Sequence, residues 1–452
     1  MTAIPRVIEQ VVNNDLCIGC GICVYECPSN ALEMKLSETG FLVANQINDC
    51  DSENSCLKVC PFDPIKEEGI KNEDTLAEFF LNDAINKNDN VGRYNNIYTG
   101  YSNEFRTTSS SGGMATFVLK ELLNRGLVDH VFSVKESKNG YTHYEYQVAS
   151  SEKQLLMSSK TRYYPVTLAS VLPELEKLEG KVAIVGVACF LKGIRLLQSE
   201  HDILKEKIPF LVGIICGGIK SSFFTEYLSN KAGASVEGYL KPEFRVKNIN
   251  STALDYSFQC SLKSNNEIRK LKMNSLGDMW GTGLFKSNAC DFCDDVTTEL
   301  ADISLGDAWL EPFMTDGKGT NVIVTRSRIA DLIIQEGNKN MDLHIEPLSL
   351  DKFIASQKGS FNHRQNAISF RLNIKDKMKI PYPFKRHTNI KISITFKIVQ
   401  LFRMLTRKKS LQIWKETKNH NLFDKRMKKY LFLLKFFNSI NHKYLKILNK
   451  FK

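Results

Sequence analysis

No stretch of this 452-residue chain is apolar for long enough to cross a bilayer. The longest apolar runs, Val182–Leu191 and Ile208–Ile219, fall well short of the roughly 20 residues a span requires. The N-terminus, Met1-Thr-Ala-Ile-Pro-Arg, has no apolar signal core. These two absences predict a cytoplasmic protein whose twelve cysteines stay reduced and bind metal rather than pair as disulfides. Acidic residues nearly vanish toward the end: residues 375–452 carry 22 Lys or Arg against 3 Asp or Glu, which leaves residues 1–374 at −8 of the chain's +11. An acidic body with a basic tail is the gross plan. No nucleic-acid-reading motif accompanies the tail. The length suggests about three domains.

What is abundant is cysteine, and it is patterned. Cys17-Ile-Gly-Cys20-Gly-Ile-Cys23-Val-Tyr-Glu-Cys27-Pro28 is the bacterial ferredoxin run. In such a run the first three thiolates hold one iron–sulfur cube and the fourth reaches to a second. Gly19 and Gly21 allow tight wrapping, so that successive sulfurs converge while backbone N–H groups point at the cluster. A structural zinc site wants two spaced pairs of ligands instead. Cys60-Pro61 mirrors Cys27-Pro28, so Cys60 is expected to complete the first cluster with Cys17, Cys20 and Cys23. The mirrored run is defective, because Glu53 stands where a cysteine belongs between Cys50 and Cys56. Cys27, Cys50 and Cys56 then supply only three thiolates. An oxygen ligand from Glu53 or Asp51, a three-iron cluster, or no second cluster all remain open, with an unusual fourth ligand preferred.

After a polar stretch read as a linker comes Thr107-Thr-Ser-Ser110-Ser111-Gly112-Gly113, leading straight into Met114-Ala-Thr116-Phe117. Phe117, Val118, Leu122 and Leu123 recur at helical spacing, and Gly126 supplies the stop. Hydroxyls and glycines at a helix start suit an anion, since free N–H groups and the helix dipole both favour one. They serve equally as a cap and flexible joint. Val128–Val134, Val182–Val185, Phe210–Ile215 and Asn321–Thr325 read as strands, with helical patterns at Phe223–Asn230 and Ala330–Gln335. The alternation predicts a sheet flanked by helices. Cys189 and Cys216 stand just past two of these strands, and Cys290-Asp-Phe-Cys293 adds a close pair. Four thiolates are the number a [4Fe–4S] cube requires. The alternatives are small buried apolar residues for the first two, and zinc or a redox dithiol for the pair. Cys260, in an alternating strand pattern, reads as packing.

Together, Ser111-Gly112-Gly113, Gly186…Cys189, Cys216-Gly217, Phe244-Arg245-Val-Lys247 and Cys290-Asp-Phe-Cys293-Asp-Asp…Glu299-Leu-Ala-Asp302-Ile-Ser-Leu-Gly306-Asp307-Ala-Trp309 resemble the family of coenzyme F420 hydrogenase/dehydrogenase beta subunits. An N-terminal ferredoxin-like module is a familiar arrangement in that family. The resemblance covers roughly residues 10–345. It implies FAD as cofactor and a cluster in the body, to which Cys189, Cys216, Cys290 and Cys293 would correspond. Its members include deazaflavin-oxidising subunits, a reductase of a chlorophyll derivative and bacterial proteins linked to surface-polysaccharide synthesis. The turn that usually reads Gly-Thr-Pro-Cys is Gly186-Val-Ala-Cys189 here. In this light Ser110, Ser111, Gly112, Gly113, Thr116, Lys160 and Tyr163 are the expected flavin contacts. Lys160-Thr-Arg162-Tyr163 suits a flavin's phosphates or ring, and equally a solvated patch. Arg245 and Lys247 suit an anionic ligand or the surface, and Asp302 and Asp307 either orient ligands or cap turns.

The expected architecture is therefore α/β with mixed elements. A ferredoxin-like double-cluster module spans 1–66, a linker 67–95, a flavin-binding body 96–180 and 181–374, and a basic amphipathic helical tail 375–452. The expected function is a flavin- and iron–sulfur-dependent oxidoreductase with two to three [4Fe–4S] clusters and FAD. It passes electrons between a ferredoxin or deazaflavin partner and a small organic substrate. The alternatives are an electron-transfer subunit docked to a catalytic partner and a scaffolding member of a polysaccharide complex. Ile392–Leu405 and Tyr430–Phe437 mix large apolar residues with lysines. They are candidates for peripheral contact with an anionic membrane at its inner face, or for packing on the body or a partner.

Overall fold

The computed structural model describes residues 3–51, 54–65, 72–138, 140, 142–448 and 450. Its centre is an eight-stranded mixed sheet: β1 Asn96–Ser102, β2 His130–Glu136, β3 Tyr144–Ala149, β4 Val182–Val187, β5 Phe210–Ile214, β6 Ile303–Asp307, β7 Asn321–Thr325 and β8 Leu343–Pro347. The strand order is β8-β1-β7-β6-β5-β4-β2-β3. Four neighbouring strands, β6, β5, β4 and β2, run parallel, with three antiparallel strands on one side and one on the other. The parallel strands are near-continuous apolar runs, as Val-Ala-Ile-Val in β4 and Phe-Leu-Val in β5, because both sheet faces are covered.

Helices α2 Met114–Asn124 and α3 Ala188–Glu200 pack on those faces, α1 Glu73–Phe80 packs on α3, and α4 Ser222–Lys231 lies beside a second sheet. A three-stranded antiparallel sheet, Tyr239–Lys247, Tyr256–Leu262 and Ile268–Lys272, packs beside α4 and buries Cys260 as expected. The α/β expectation with mixed elements holds.

The ferredoxin-like module consists of the short helices Ile22–Tyr25 and Ser55–Lys58 and the hairpin Leu32–Leu36/Leu42–Gln46. It is not a bead on a string. Its apolar residues Ile22, Val59 and Phe62 share one core with Phe190, Ile194 and Leu197 of α3. Gly193 makes that approach possible, since a Cβ there would collide with Ile22.

Two boundary expectations are corrected. Residues 67–95 are not a linker from residue 72 onward: α1 buries Leu76 and Ala77, and Glu73 pairs with Lys192 at 2.8 Å. The polar composition misled because that polarity is used in buried pairs and caps, such as Asn72 accepting from the Thr75 N–H. The body also does not end at residue 374. The tail folds as a helical hairpin, α5 Ile394–Thr417 and α6 His420–Leu448. Trp414 and Phe423 of this hairpin enter the core around Tyr227 and Phe285.

Candidate functional site

The sequence places glycine-bearing turns between the N-terminal cysteines, and the structure uses them to gather sulfurs. The thiol of Cys23 is pushed up by burial and then by Cys20, Cys17 and Cys60 around it. Burial likewise pushes Cys20 up to about 12. Backbone N–H groups point at these sulfurs: Gly19 and Ala44 at Cys17, Ile22 and Gly21 at Cys20, Phe62 at Cys60. An apolar cavity lined by Cys17, Cys20, Cys23 and Cys60 with Val11, Met34 and Phe62 lies between them. Cys56 faces Cys27 and Cys50 as a second group. Asp51 is exposed beside it, and Glu53, the other candidate oxygen ligand, lies outside the described residues.

The body cysteines come together from three distant parts of the chain. Cys189 follows β4, Cys216 follows β5, and Cys290 and Cys293 lie on the loop before β6. Burial and then the charges of Cys293, Cys290, Cys216 and Cys20 push the Cys189 thiol far up. The N–H of Gly218 points at Cys216 Sγ at 3.2 Å, and that of Ile219 at Cys290 Sγ at 3.2 Å. Such sulfurs with backbone donors, none of them in a disulfide, are a donor set for iron–sulfur clusters, which bind thiolates and thereby offset the cost of burying them. Among the described residues no three His, Cys, Asp or Glu side chains converge on a point fit for one metal ion. A cube is held from its corners and requires no such convergence. The Gly186-Val-Ala-Cys189 variant of the turn still delivers Cys189 to the group.

Between the module and the body lies a cavity of about 570 Å³ at the carboxyl ends of the parallel strands. Open α/β sheets bind ligands at that edge, where strand ends diverge. Ser110, Ser111, Gly113, Thr116, Lys160 and Tyr163 line it. Gly112 does not: a Cβ there would meet Asn321 and the Gly100 carbonyl, so it lets the loop lie against the sheet. Gly113 takes a left-handed conformation as the residue capping α2, whose first turn borders the cavity. Ser110 accepts the Thr161 N–H at 2.9 Å, which ties the two expected segments together.

The cavity fits an anionic, aromatic cofactor. Arg162, Lys220 and Arg245 line it, and the Nε atoms of Arg162 and Arg245 are buried without a hydrogen-bond partner. Tyr163 stacks edge-on to Trp280 at 4.6 Å. Cys17 from the first N-terminal group and Cys216 from the body group both border this cavity. Sequence reasoning missed Tyr146, Phe190, Lys220 and Trp280, because none stands in a patterned run and only the fold brings them to this edge. Lys247 instead donates to the carbonyls of Arg106, Ser111 and Lys318 and holds the serine-rich loop in place. Asp302 pairs with Arg195 at 3.1 Å and accepts the Leu211 N–H, a structural role. Asp307 pairs with Arg245 at the cavity wall.

Residues 97–173 match the N-terminal part, and residues 179–351 the C-terminal part, of the family described as "Coenzyme F420 hydrogenase/dehydrogenase, beta subunit". Residues 11–33 match "4Fe-4S binding domain". A similar curated protein is a subunit of the F(420)H(2) dehydrogenase of Methanosarcina mazei, 24% identical over 69% of this chain and 82% of that protein. Another is "Coenzyme F420-dependent sulfite reductase" of Methanocaldococcus jannaschii, 24% identical over 66% of this chain but 43% of that protein. A solved structure of the F420-reducing [NiFe] hydrogenase complex from Methanosarcina barkeri contains a similar chain. Its TM-score is 0.49 at 18% identity, covering 64% of this chain and 96% of that one.

Proposed function

Because the chain belongs to the family of coenzyme F420 hydrogenase/dehydrogenase beta subunits and carries a 4Fe-4S binding domain, we propose that it is a flavin- and iron–sulfur-dependent oxidoreductase. In this reading it passes electrons between a ferredoxin-type or deazaflavin partner and a flavin-reducible organic substrate. The observation that carries the reading is the shared cavity, bordered by a cysteine of each full thiol group and lined with cations and aromatics.

The metal ligands in this reading are Cys17, Cys20, Cys23 and Cys60 for one cluster and Cys189, Cys216, Cys290 and Cys293 for another. Cys27, Cys50 and Cys56 supply a second N-terminal cluster. Ser110, Ser111, Thr116 and the first turn of α2 would hold the FAD phosphates, with Lys160 and Arg162 balancing their charge. Tyr163 and Trp280 would bound the ring. Bound flavin supplies two-electron hydride exchange on one side and single-electron exchange with clusters on the other. The chain's own part is to exclude water from the cavity and to keep the thiol groups in electrostatic reach of one another.

A second reading is an electron-transfer subunit without its own substrate. It is supported by the Methanosarcina mazei relative, whose name is that of a dehydrogenase subunit. The expectation of a role in polysaccharide synthesis rests on the resemblance alone. All twelve cysteines are unpaired, which suits a reducing compartment. Among the described residues no helix is long and apolar enough to cross a membrane. We assign the outer face of the α5–α6 hairpin to an anionic membrane surface, because Phe432, Phe436, Ile440 and Tyr444 form an exposed stripe at four-residue spacing among lysines.

The test is direct. Anaerobically purified protein is expected to hold more than four irons per chain and to bind FAD, which reduced ferredoxin bleaches together with the clusters. Arg162→Gln is expected to weaken FAD binding about tenfold at unchanged iron content, the loss of a hydrogen bond to a charged group. A protein that binds no flavin under any loading condition sinks the enzyme reading. One that binds flavin but turns over nothing without a second subunit supports the relay.

A further inference from the structure

The loop carrying Cys290 and Cys293 is clasped by chain that begins after the family match ends at residue 351. Gln365 Nε2 donates to the Asp294 carbonyl at 3.1 Å, and Arg371 Nε to the Asp291 carbonyl at 2.7 Å. Three carboxylates of the loop are each paired with a buried cation. Asp291 meets Lys286 at 2.5 Å and Arg407 at 3.0 Å, Asp294 meets Lys385 at 3.3 Å, and Glu299 meets Arg386 at 2.6 Å.

Two buried cations of this clasp, Arg371 and Arg364, have no carboxylate partner among the described residues, and of the two Arg364 lies against a sulfur. Arg364, 4% exposed, forms no ion pair with a carboxylate among the described residues. Its Nη1 donates to the Asp295 carbonyl at 3.0 Å and lies 3.8 Å from Cys293 Sγ. A buried cation left without an opposite charge is strongly destabilising. The arrangement sets a buried positive charge beside a sulfur that would ligate the cluster, and a thiolate-ligated iron–sulfur cube is an anion.

We propose that Arg364 is a positioning residue for the redox poise of the body cluster, its fixed charge favouring the reduced, more negative state and so raising the reduction potential. The inference rests on the body cluster proposed above. Adding one electron to the cluster adds one negative charge, and no proton or other reactant is needed for the balance. A fixed positive charge against a ligand sulfur in a low-dielectric interior acts on that difference directly.

The test is a stepwise reductive titration of full-length, anaerobically purified protein with dithionite, followed by electron paramagnetic resonance. The body signal is the one that Cys293→Ser removes while the N-terminal signal persists. At a fixed poise, Arg364→Gln is expected to cut the reduced fraction at least tenfold relative to oxidised cluster, or 59 mV for a one-electron couple, with iron content unchanged. Arg364→Lys is expected to recover most of the shift. Lys385→Gln, whose cation also faces Cys293 but is paired with Asp294, is expected to give a smaller shift in the same direction. An unchanged potential in Arg364→Gln overturns the proposal. So does loss of body iron in Arg364→Gln if Lys385→Gln keeps its iron and shows no shift, since Arg364 is then a structural support only. A wild-type protein with no signal sensitive to Cys293→Ser fails the cluster reading itself, and that failure is visible without any Arg364 variant.

Discussion

Lys220 shows how one side chain makes the cavity sensitive to pH. Its ammonium donates to the carbonyls of Met279 at 2.8 Å and Leu284 at 2.6 Å and lies 4.4 Å from the Trp280 ring centre. Burial, and then repulsion from Lys286, push its pKa down to about 7. The sign follows from the depressed value: the charge is present below neutral pH and lost above it, where an ordinary lysine would still be charged. An anionic cofactor in this cavity is therefore expected to bind more tightly below about pH 7 than above it. Titration of FAD fluorescence across neutral pH measures this, and Lys220→Met is expected to flatten the profile. A profile equally steep in the variant would assign the dependence to another group.

At the scale of elements, α1 and the hairpin matter most. Helix α1 is fastened by Glu73 to Lys192 of α3, both buried. Burial raises the Glu73 pKa, but Lys192, Lys385 and Arg386 outweigh it and hold the carboxyl well below its usual range. Lys192→Met would leave that carboxylate buried beside weaker partners. The expected cost is about 3 kcal/mol, at the low end for a broken buried pair because Lys385 and Arg386 remain, read as a lowered thermal transition at neutral pH. The hairpin is anchored in the same way. Trp414 is fully buried, donates its indole N–H to Glu226 at 2.8 Å and packs against Tyr227, Phe285 and Phe423. Arg407 of α5 reaches Asp291 and Asn288 beside the C-x-x-C loop. Cutting the chain after Ile374 would therefore remove part of the core and of the contacts that hold the C-x-x-C loop, not a free arm.

At the scale of the whole molecule, the charge is segregated. The hairpin, residues 394–448, has 14 Lys or Arg against 2 Asp or Glu. Its outer stripe includes Phe432, 66% exposed, with Phe436 and Ile440 following at one-turn spacing. Each lysine near an anionic surface contributes roughly 1 kcal/mol, so partial engagement suffices for binding at low salt. Full-length protein is expected to sediment with anionic liposomes at low ionic strength and to be released by salt. The triple variant Phe432→Ser, Phe436→Ser, Ile440→Ser touches no core residue and is expected to bind several-fold more weakly. Equal sedimentation of variant and parent would make the stripe a contact for a protein or a second copy of this chain.

By itself the sequence determined the parts whose geometry is local. The spacing from Cys17 to Cys27 with Gly19 and Gly21 forces adjacent sulfurs to converge. The run Ser110–Gly113 ahead of the apolar period from Phe117 starts a helix. The strands Val182–Val187 and Asn321–Thr325 announce themselves as short apolar runs because both of their faces are buried. Only the tertiary structure decided which distant groups share an environment. It joined Cys189, Cys216 and Cys290 across a hundred residues, set Cys17 and Cys216 on one cavity, and pressed Arg364 against Cys293. It also turned an apparent linker and an apparent free tail into packed elements, since polar and basic composition looks the same whether the charges face water or find buried partners. Such pairings depend on where the chain returns in space, and contact between residues far apart in sequence leaves no period or spacing in one chain.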